Sequence, residues 1–168
     1  IMTPWNVPVN MIFSPLADVL GAGNRAMIKP SEYTPHTAEI MRTLFAQYFE
    51  ESEITVIAGG PEVGAAFSAL PLDHLIFTGS TRGGRLVAES AGRNLTPVTL
   101  ELGGKSPAII DRSADIAEAA ERIVYGKLMN AGQTCIAPDY VLIPHGNVDE
   151  FVAKANSAVM RMFGANPD

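Results

Sequence analysis

Short apolar segments alternate along this chain with stretches of helical periodicity, and glycine or proline stands at most of the junctions. Strands separated by helices pair in parallel, so the alternation points to an α/β architecture built on a mostly parallel sheet. Arg25–Lys29 reads as a strand, stopped by Pro30. Thr34 as N-cap and Pro35 at the first helical position then open a helix. Ile40, Met41, Leu44, Phe45, Tyr48 and Phe49 continue it at helical spacing. Ile54–Ala58 is a second strand, closed by Gly59-Gly60. Pro61 starts a short helix whose apolar face holds Val63, Phe67 and Leu70. Leu75–Phe77 is a third strand; the turn Thr78–Gly84 follows it, then a helix through Leu86 and Val87 that stops at Gly92.

Beyond Gly92 the pattern changes. Val98–Leu102 and Ala108–Ile110 look extended and flank Gly103-Gly104. Asp115-Ile116-Ala117-Glu118 resembles a capping box, opening a helix that buries Ile116, Ala120, Ile123 and Val124. Cys135 falls in the loop between this helix and a strand near Tyr140–Ile143. Asn147 and Glu150 are expected to cap a last helix with Phe151, Val152, Ala155 and Val159 on its apolar side. The domain boundary lies near Glu101–Gly103, dividing the chain into residues 1–102 and 103–168.

Composition narrows the function classes. Hydrophobic residues make up 47% of the chain, enough for a core and too many for disorder. The net charge of −6 argues against nucleic acid, which needs a clustered basic footprint, and against an anionic membrane surface. No apolar run approaches the roughly 20 residues of a bilayer span, and no N-terminal segment resembles a signal peptide. The single cysteine excludes an internal disulfide framework and a cysteine-rich zinc site, and fits a reducing, cytoplasmic compartment. His36, His74 and His145 match no metal spacing.

Several segments could carry chemistry. Gly79 and Ser80 belong to a Gly-rich turn between a strand and a helix, which can offer backbone N–H groups to phosphates or serve as a tight connection. Lys29-Pro30-Ser31-Glu32 ends a strand, where α/β sheets place ligands; Glu32 could accept from ribose hydroxyls, or the pair could be solvated. Glu101 lies in an apolar strand beside two glycines, so partial desolvation is expected to move it towards general-base duty. An ion pair to Lys105 or an arginine is the alternative. Cys135 could be an exposed nucleophile or a small buried hydrophobe. Asn6, between Pro4 and Pro8, could donate to an oxyanion or simply form a turn.

Together these segments resemble the successive signature motifs of the aldehyde dehydrogenase superfamily. They are Pro4-Trp5-Asn6-Val7-Pro8, Lys29-Pro30-Ser31-Glu32, Phe77-Thr78-Gly79-Ser80, Glu101-Leu102-Gly103-Gly104-Lys105-Ser106-Pro107 and Gly132-Gln133-Thr134-Cys135. The resemblance covers essentially the whole chain. Thr96–Glu101 and Gly132–Tyr140 are most similar to the branch of class 3, fatty-aldehyde and coniferyl aldehyde dehydrogenases, and Pro4–Ser14 to its bacterial coniferyl members.

The resemblance implies a Rossmann-like NAD(P)-binding domain, 1–102, followed by the start of an α/β catalytic domain, 103–168. It implies a Cys135 nucleophile, a Glu101 base and an oxyanion site made by Asn6 with the Cys135 N–H. Lys29, Ser31, Glu32, Gly79, Ser80 and Leu102 would bind the cofactor. Glu32 beside a ribose favours NAD over NADP by charge, although this branch accepts both. The implied substrate is a small aldehyde, aromatic such as coniferyl aldehyde or medium-chain aliphatic. The implied assembly is a cytoplasmic homo-oligomer, dimer or tetramer, with no metal, nucleic acid or membrane partner. The family's downstream Glu-x-Phe-Gly-Pro motif does not occur here, so the chain is expected to be a fragment. A nucleotide-binding piece without turnover and a cofactor-independent thiol esterase are the competing readings.

Overall fold

The computed structural model describes residues 1–164 and divides the chain into two compact units, Ile1–Leu102 and Gly103–Asp168. The first unit runs α1 (Pro8–Gly21), β1 (Ala26–Ile28), α2 (Pro35–Tyr48), β2 (Ile54–Val56), α3 (Pro61–Ser68), β3 (Leu75–Gly79), α4 (Thr81–Gly92) and β4 (Val98–Leu102). β1 pairs with β2 and β3 with β4, both in parallel. What joins these pairs is the first stretch of chain. Met2 bridges Lys29 on one side and Phe77 on the other, again in parallel. Its N–H donates to Ile76 O at 2.8 Å and its carbonyl accepts from Thr78 N at 3.0 Å; Lys29 N donates to Ile1 O at 2.8 Å. Counting Ile1–Thr3 as the first strand, the spatial order is 3-2-1-4-5, the arrangement of a doubly wound sheet.

The period of two along each strand puts helices on both faces. Ile1, Ala26, Ile28, Ile54 and Val56 pack with Ile12 and Leu16 of α1 and Met41 and Phe45 of α2. Met2, Leu75, Phe67 of α3, and Val87 and Ala91 of α4 make the opposite core, with Met27, Phe77, Val98 and Leu100 against it. Neighbours such as Ile1 and Met2 therefore serve different cores. Ile12, Ile28 and Leu75 are wholly removed from solvent. Each contributes about 1.5–3 kcal/mol by burial.

Several local expectations are corrected. The sequence pattern reveals no element over Pro8–Gly21, because Pro8 and Pro15 disguise a helix that buries Ile12 and Leu16. Pro8 sits harmlessly at the start, while Pro15 is internal and removes one helical hydrogen bond. Thr34 is the N-cap of α2, but its hydroxyl does not cap; it donates to Ser31 O at 3.3 Å. Leu70 lies beyond the end of α3; the helix through Leu86 and Val87 runs to Gly92 as expected, with Leu86 outward, 60% exposed.

The second unit holds β5 (Ser106–Ile109), α5 (Ile116–Leu128), a 3-10 turn (Met129–Gly132), β6 (Pro138–Leu142) and α6 (Val148–Phe163). β5 and β6 pair in parallel, with a register shift at Ser106/Pro107. Asp115 accepts from Glu118 N at 2.9 Å, one half of the expected capping box. Asn147 is the N-cap of α6 by position, but neither its side chain nor that of Glu150 caps the helix. Acidic Asp149 and Glu150 in the first turn complement the helix dipole instead. Val152 is exposed, and Ala158 is the buried residue of α6. Arg161 ties α6 to Glu121 of α5 at 2.7 Å. No helix among the described residues is long and apolar enough to cross a membrane.

Replacing Ile28 by Ala should lower unfolding stability by about 3 kcal/mol, since the cavity opens in the closed core between the sheet and helices α1 and α2. Leu86→Ala, on the exposed face of α4, should change it by less than about 0.5 kcal/mol. Urea unfolding of the two variants side by side checks the contrast.

Candidate active site

The carboxyl ends of the first unit's parallel strands share one edge of the sheet, where doubly wound folds bind ligands. The sequence there is chemically dense. Pro4-Trp5-Asn6 follows the central Ile1–Thr3 segment, Lys29-Pro30-Ser31-Glu32 follows β1, Gly79-Ser80 closes β3, and Glu101-Leu102 closes β4. The topology thus gathers at one edge residues that lie up to a hundred positions apart in sequence.

Lys29 is buried, its side chain 5% exposed, and its ammonium reaches Glu32 Oε2 at 3.2 Å. It is not the solvated pair that the tetrapeptide alone allows. The Glu32 carboxyl is held below the ordinary carboxylate range, first by its own backbone N–H; desolvation opposes this, and the hydrogen bond and charge of Lys29 add to the lowering. Glu32 therefore stays ionised well below neutral pH. Ser31 is buried, and its Oγ accepts from Tyr33 N at 3.3 Å, which turns the chain towards α2. Asn6 is half-buried in the bend ahead of α1.

The turn after β3 is organised by two interactions. Ser80 caps α4, accepting from Gly83 N at 3.1 Å. The glycines make room for side chains from below. A Cβ on Gly79 or Gly83 would meet the Phe77 ring at 2.6 or 2.9 Å, and one on Gly84 would meet Leu102 Cδ2 at 2.7 Å. None of these three has a positive φ. Gly83 and Gly84 allow close helix–sheet packing, which presses the N-terminus of α4 onto the strand ends, while Gly79 leaves room for Phe77 of its own strand. Leu102 is part of that packing.

Glu101 departs from expectation. Side chains alternate along β4, with Val98, Leu100 and Leu102 half-buried and Thr99 and Glu101 exposed. An apolar strand therefore does not desolvate its lone carboxylate, because the carboxylate takes the outward position. Lys105, its expected ion-pair alternative, bonds Asp139 Oδ2 at 2.7 Å.

Cys135 is exposed, in the turn that leads into β6. The backbone before it is unusual. Asn130 (φ 52°, ψ 35°) and Ala131 (φ 55°, ψ 29°) are both left-handed, and Gly132 follows at φ 76°. Left-handed backbone costs a residue with a Cβ roughly 1–2 kcal/mol. Gln133 N donates to Asn130 O at 3.0 Å, and Asn130 Nδ2 donates to Gln133 O at 3.3 Å, which closes the turn. Ala137 N donates to Thr134 O at 3.2 Å on the far side of the cysteine. The loop is held by backbone geometry on both sides.

Sequence reading missed two contributors to this picture. The Ile1–Thr3 segment is too short to show a period, although it is the centre of the sheet. The left-handed run was signalled only by Asn130 and Gly132, residue types that tolerate such backbone.

Comparison with known proteins agrees with the motif order. The sequence model of the aldehyde dehydrogenase family matches residues 1–168. The chain belongs to the aldehyde dehydrogenase family. It is 56% identical to the probable coniferyl aldehyde dehydrogenase of Caulobacter vibrioides over 100% of its own length and 35% of that protein's. With the coniferyl aldehyde dehydrogenase of Pseudomonas sp. it shares 53% identity, over 100% of this chain and 36% of the relative. Among solved structures, the substrate-bound state of Staphylococcus aureus AldH superposes with a TM-score of 0.96 at 43% identity, covering 99% of this chain and 36% of that one. A mutant aldehyde dehydrogenase C of Pseudomonas syringae in complex with NAD+ and octanal gives 0.88 at 36% identity, over 94% and 33%. The chain thus spans about a third of the length of the aldehyde dehydrogenases it matches.

Ala131→Gly should stabilise the protein by about 1 kcal/mol, since glycine adopts the left-handed region without a Cβ penalty. Gly132→Ala should do the reverse, because its φ is 76° and its new methyl would lie 3.1 Å from Lys127 O. Thermal unfolding of both variants would show the opposed signs, and a common sign would refute the strain assignment.

Proposed function

We propose that the protein containing this chain oxidises an aldehyde to its carboxylic acid with NAD(P)+, and that coniferyl aldehyde or a related aromatic aldehyde is the substrate. The observation that carries the reading is 56% identity along the whole chain to a probable coniferyl aldehyde dehydrogenase, with the cysteine motif intact. Solved relatives bound to NAD+ support the cofactor.

The residues at the sheet edge fit a dinucleotide. Lys29 is a buried cation held beside an ionised Glu32, a polar pair suited to ribose hydroxyls. Gly79 and Ser80 stand at the N-terminus of α4, where free N–H groups and the helix dipole favour a pyrophosphate. Ser31 shapes the turn carrying Glu32, and Leu102 supports α4 from β4. The Glu32 charge would oppose a 2′-phosphate and so favours NAD.

In the proposed chemistry the Cys135 Sγ, as thiolate, adds to the aldehyde carbon to give a thiohemiacetal. The Asn6 amide and the Cys135 N–H donate to the oxyanion. Bound NAD(P)+ supplies the hydride acceptor, and the enzyme is left as a Cys135 thioester. Glu101 takes a proton from water, whose oxygen attacks the thioester carbonyl; the carboxylic acid leaves and Cys135 is restored. The exposed position of Glu101 on β4 leaves its carboxylate accessible to water in the first unit. On this reading residues 1–102 are part of the cofactor domain and 103–168 the beginning of the catalytic domain of a cytoplasmic homo-oligomer.

The test is NAD(P)H formation by the full-length protein with a panel of aromatic and aliphatic aldehydes. Cys135→Ala should abolish turnover, and Glu101→Gln should reduce it about 10²–10⁴-fold, the usual worth of a general base. Glu32→Gln should shift the ratio of kcat/KM values towards NADP several-fold, by roughly the 1 kcal/mol of one screened charge. Full activity without Cys135 would sink the mechanism, and an unchanged NAD/NADP ratio would remove Glu32 from cofactor selection.

A further inference from the structure

We infer that Gly104 is a positioning residue for the nucleophile: its missing side chain sets how closely the β5 entry can approach the Cys135 backbone. This rests on the proposed role of Cys135.

The parallel pairing of β5 and β6 starts at Ser106 and Pro138. Gly104, two residues before β5, and Cys135, three before β6, are therefore brought close together. A Cβ built on Gly104 would lie 3.0 Å from the Cys135 carbonyl oxygen. That is tighter than ordinary carbon–oxygen contact, and the neighbour is backbone, which cannot swing aside as a side-chain tip can. Nor is the Cys135 loop free to retreat. On one side it is closed by the left-handed run Asn130–Gly132 and the Gln133 N to Asn130 O bond of 3.0 Å; on the other by Ala137 N to Thr134 O at 3.2 Å. Below it, the Lys105–Asp139 ion pair of 2.7 Å links the two strand entries. A methyl at residue 104 would have to move the Cys135–Ile136 peptide by a few tenths of an ångström, and with it the Cys135 Cα that carries Sγ.

The neighbouring glycine provides the contrast. A Cβ on Gly103 would meet nothing within 4 Å, and neither glycine needs a positive φ. The two glycines of one motif thus have separable roles. Gly103 tolerates a side chain on spatial grounds, whereas one at residue 104 would press on the cysteine loop.

The experiment compares Gly104→Ala, Gly103→Ala and Cys135→Ala in the full-length protein. It measures aldehyde oxidation with NAD+, hydrolysis of p-nitrophenyl acetate without cofactor, and the thermal midpoint. Gly104→Ala should lower kcat and the ester rate together by about tenfold, since displacements well under 1 Å at a reacting centre cost rate steeply. Its KM for NAD+ should stay within about twofold and its midpoint within a few degrees, a split that general destabilisation would not give. Gly103→Ala should match the wild type. Wild-type kcat in Gly104→Ala, equal losses in both glycine variants, or a Gly104→Ala protein that does not fold would each overturn the proposal. The last outcome would make the glycine a requirement of the fold. Cys135→Ala separates the two layers of inference. If it still oxidises aldehyde, the nucleophile assignment fails whatever Gly104 does. If it is inactive while Gly104→Ala is normal, only the positioning role fails.

Discussion

The first unit depends on the pairing of three residues. Ile1–Thr3 hydrogen-bonds to β1 on one side and β3 on the other, so without it two separate strand pairs would remain. Because the segment enters as a strand with two faces, Ile1 joins the core under α1 and α2 while Met2 joins the core under α3 and α4. Its central position also creates the reversal in strand order from which a doubly wound sheet opens a ligand crevice. Asn6, three residues beyond Thr3, and the Lys29–Glu32 turn thereby follow neighbouring strands.

Glycines serve different ends in the two units. In the turn after β3 they clear space for Phe77 and Leu102, and the gain is a helix N-terminus held close to the sheet edge. On the proposed cofactor reading, phosphate would be held there by free N–H groups of the helix end, which that packing positions. At the start of β5, Gly104 lets two backbones approach, and the neighbour is the carbonyl of a candidate nucleophile. In both places a local rule about flexible glycines gives the wrong reason, since neither Gly79, Gly83, Gly84 nor Gly104 adopts positive φ. Gly132 does, and it follows two residues that share its left-handed backbone at a cost in strain.

Electrostatics at the sheet edge is concentrated rather than diffuse. The chain carries a net charge of −6, yet the side chain buried at the end of β1 is a lysine. Burying its ammonium is tolerable because Glu32 lies 3.2 Å away, and the pair keeps polar atoms at the rim of an otherwise apolar strand end. Breaking such a pair costs more than forming it returns, which argues for a use beyond stability.

The sequence by itself determined the α/β class, most strands and helices and the order of motifs that names the family. These are local properties: periodicity, proline and glycine punctuation, and residue type at fixed spacing. α1 escaped because its prolines hide an amphipathic face, and the caps at Thr34 and Asn147 failed because a capping residue type does not fix where its side chain bonds. Only the tertiary structure decided which face each residue took. It put Glu101 outward on β4, buried Lys29, and made Ile1–Thr3 the centre of the sheet. It also set Gly104 against Cys135, a contact between residues 31 positions apart. Strand pairing is non-local, so the approach of two backbones is set by the register of distant segments and leaves no mark in either segment alone.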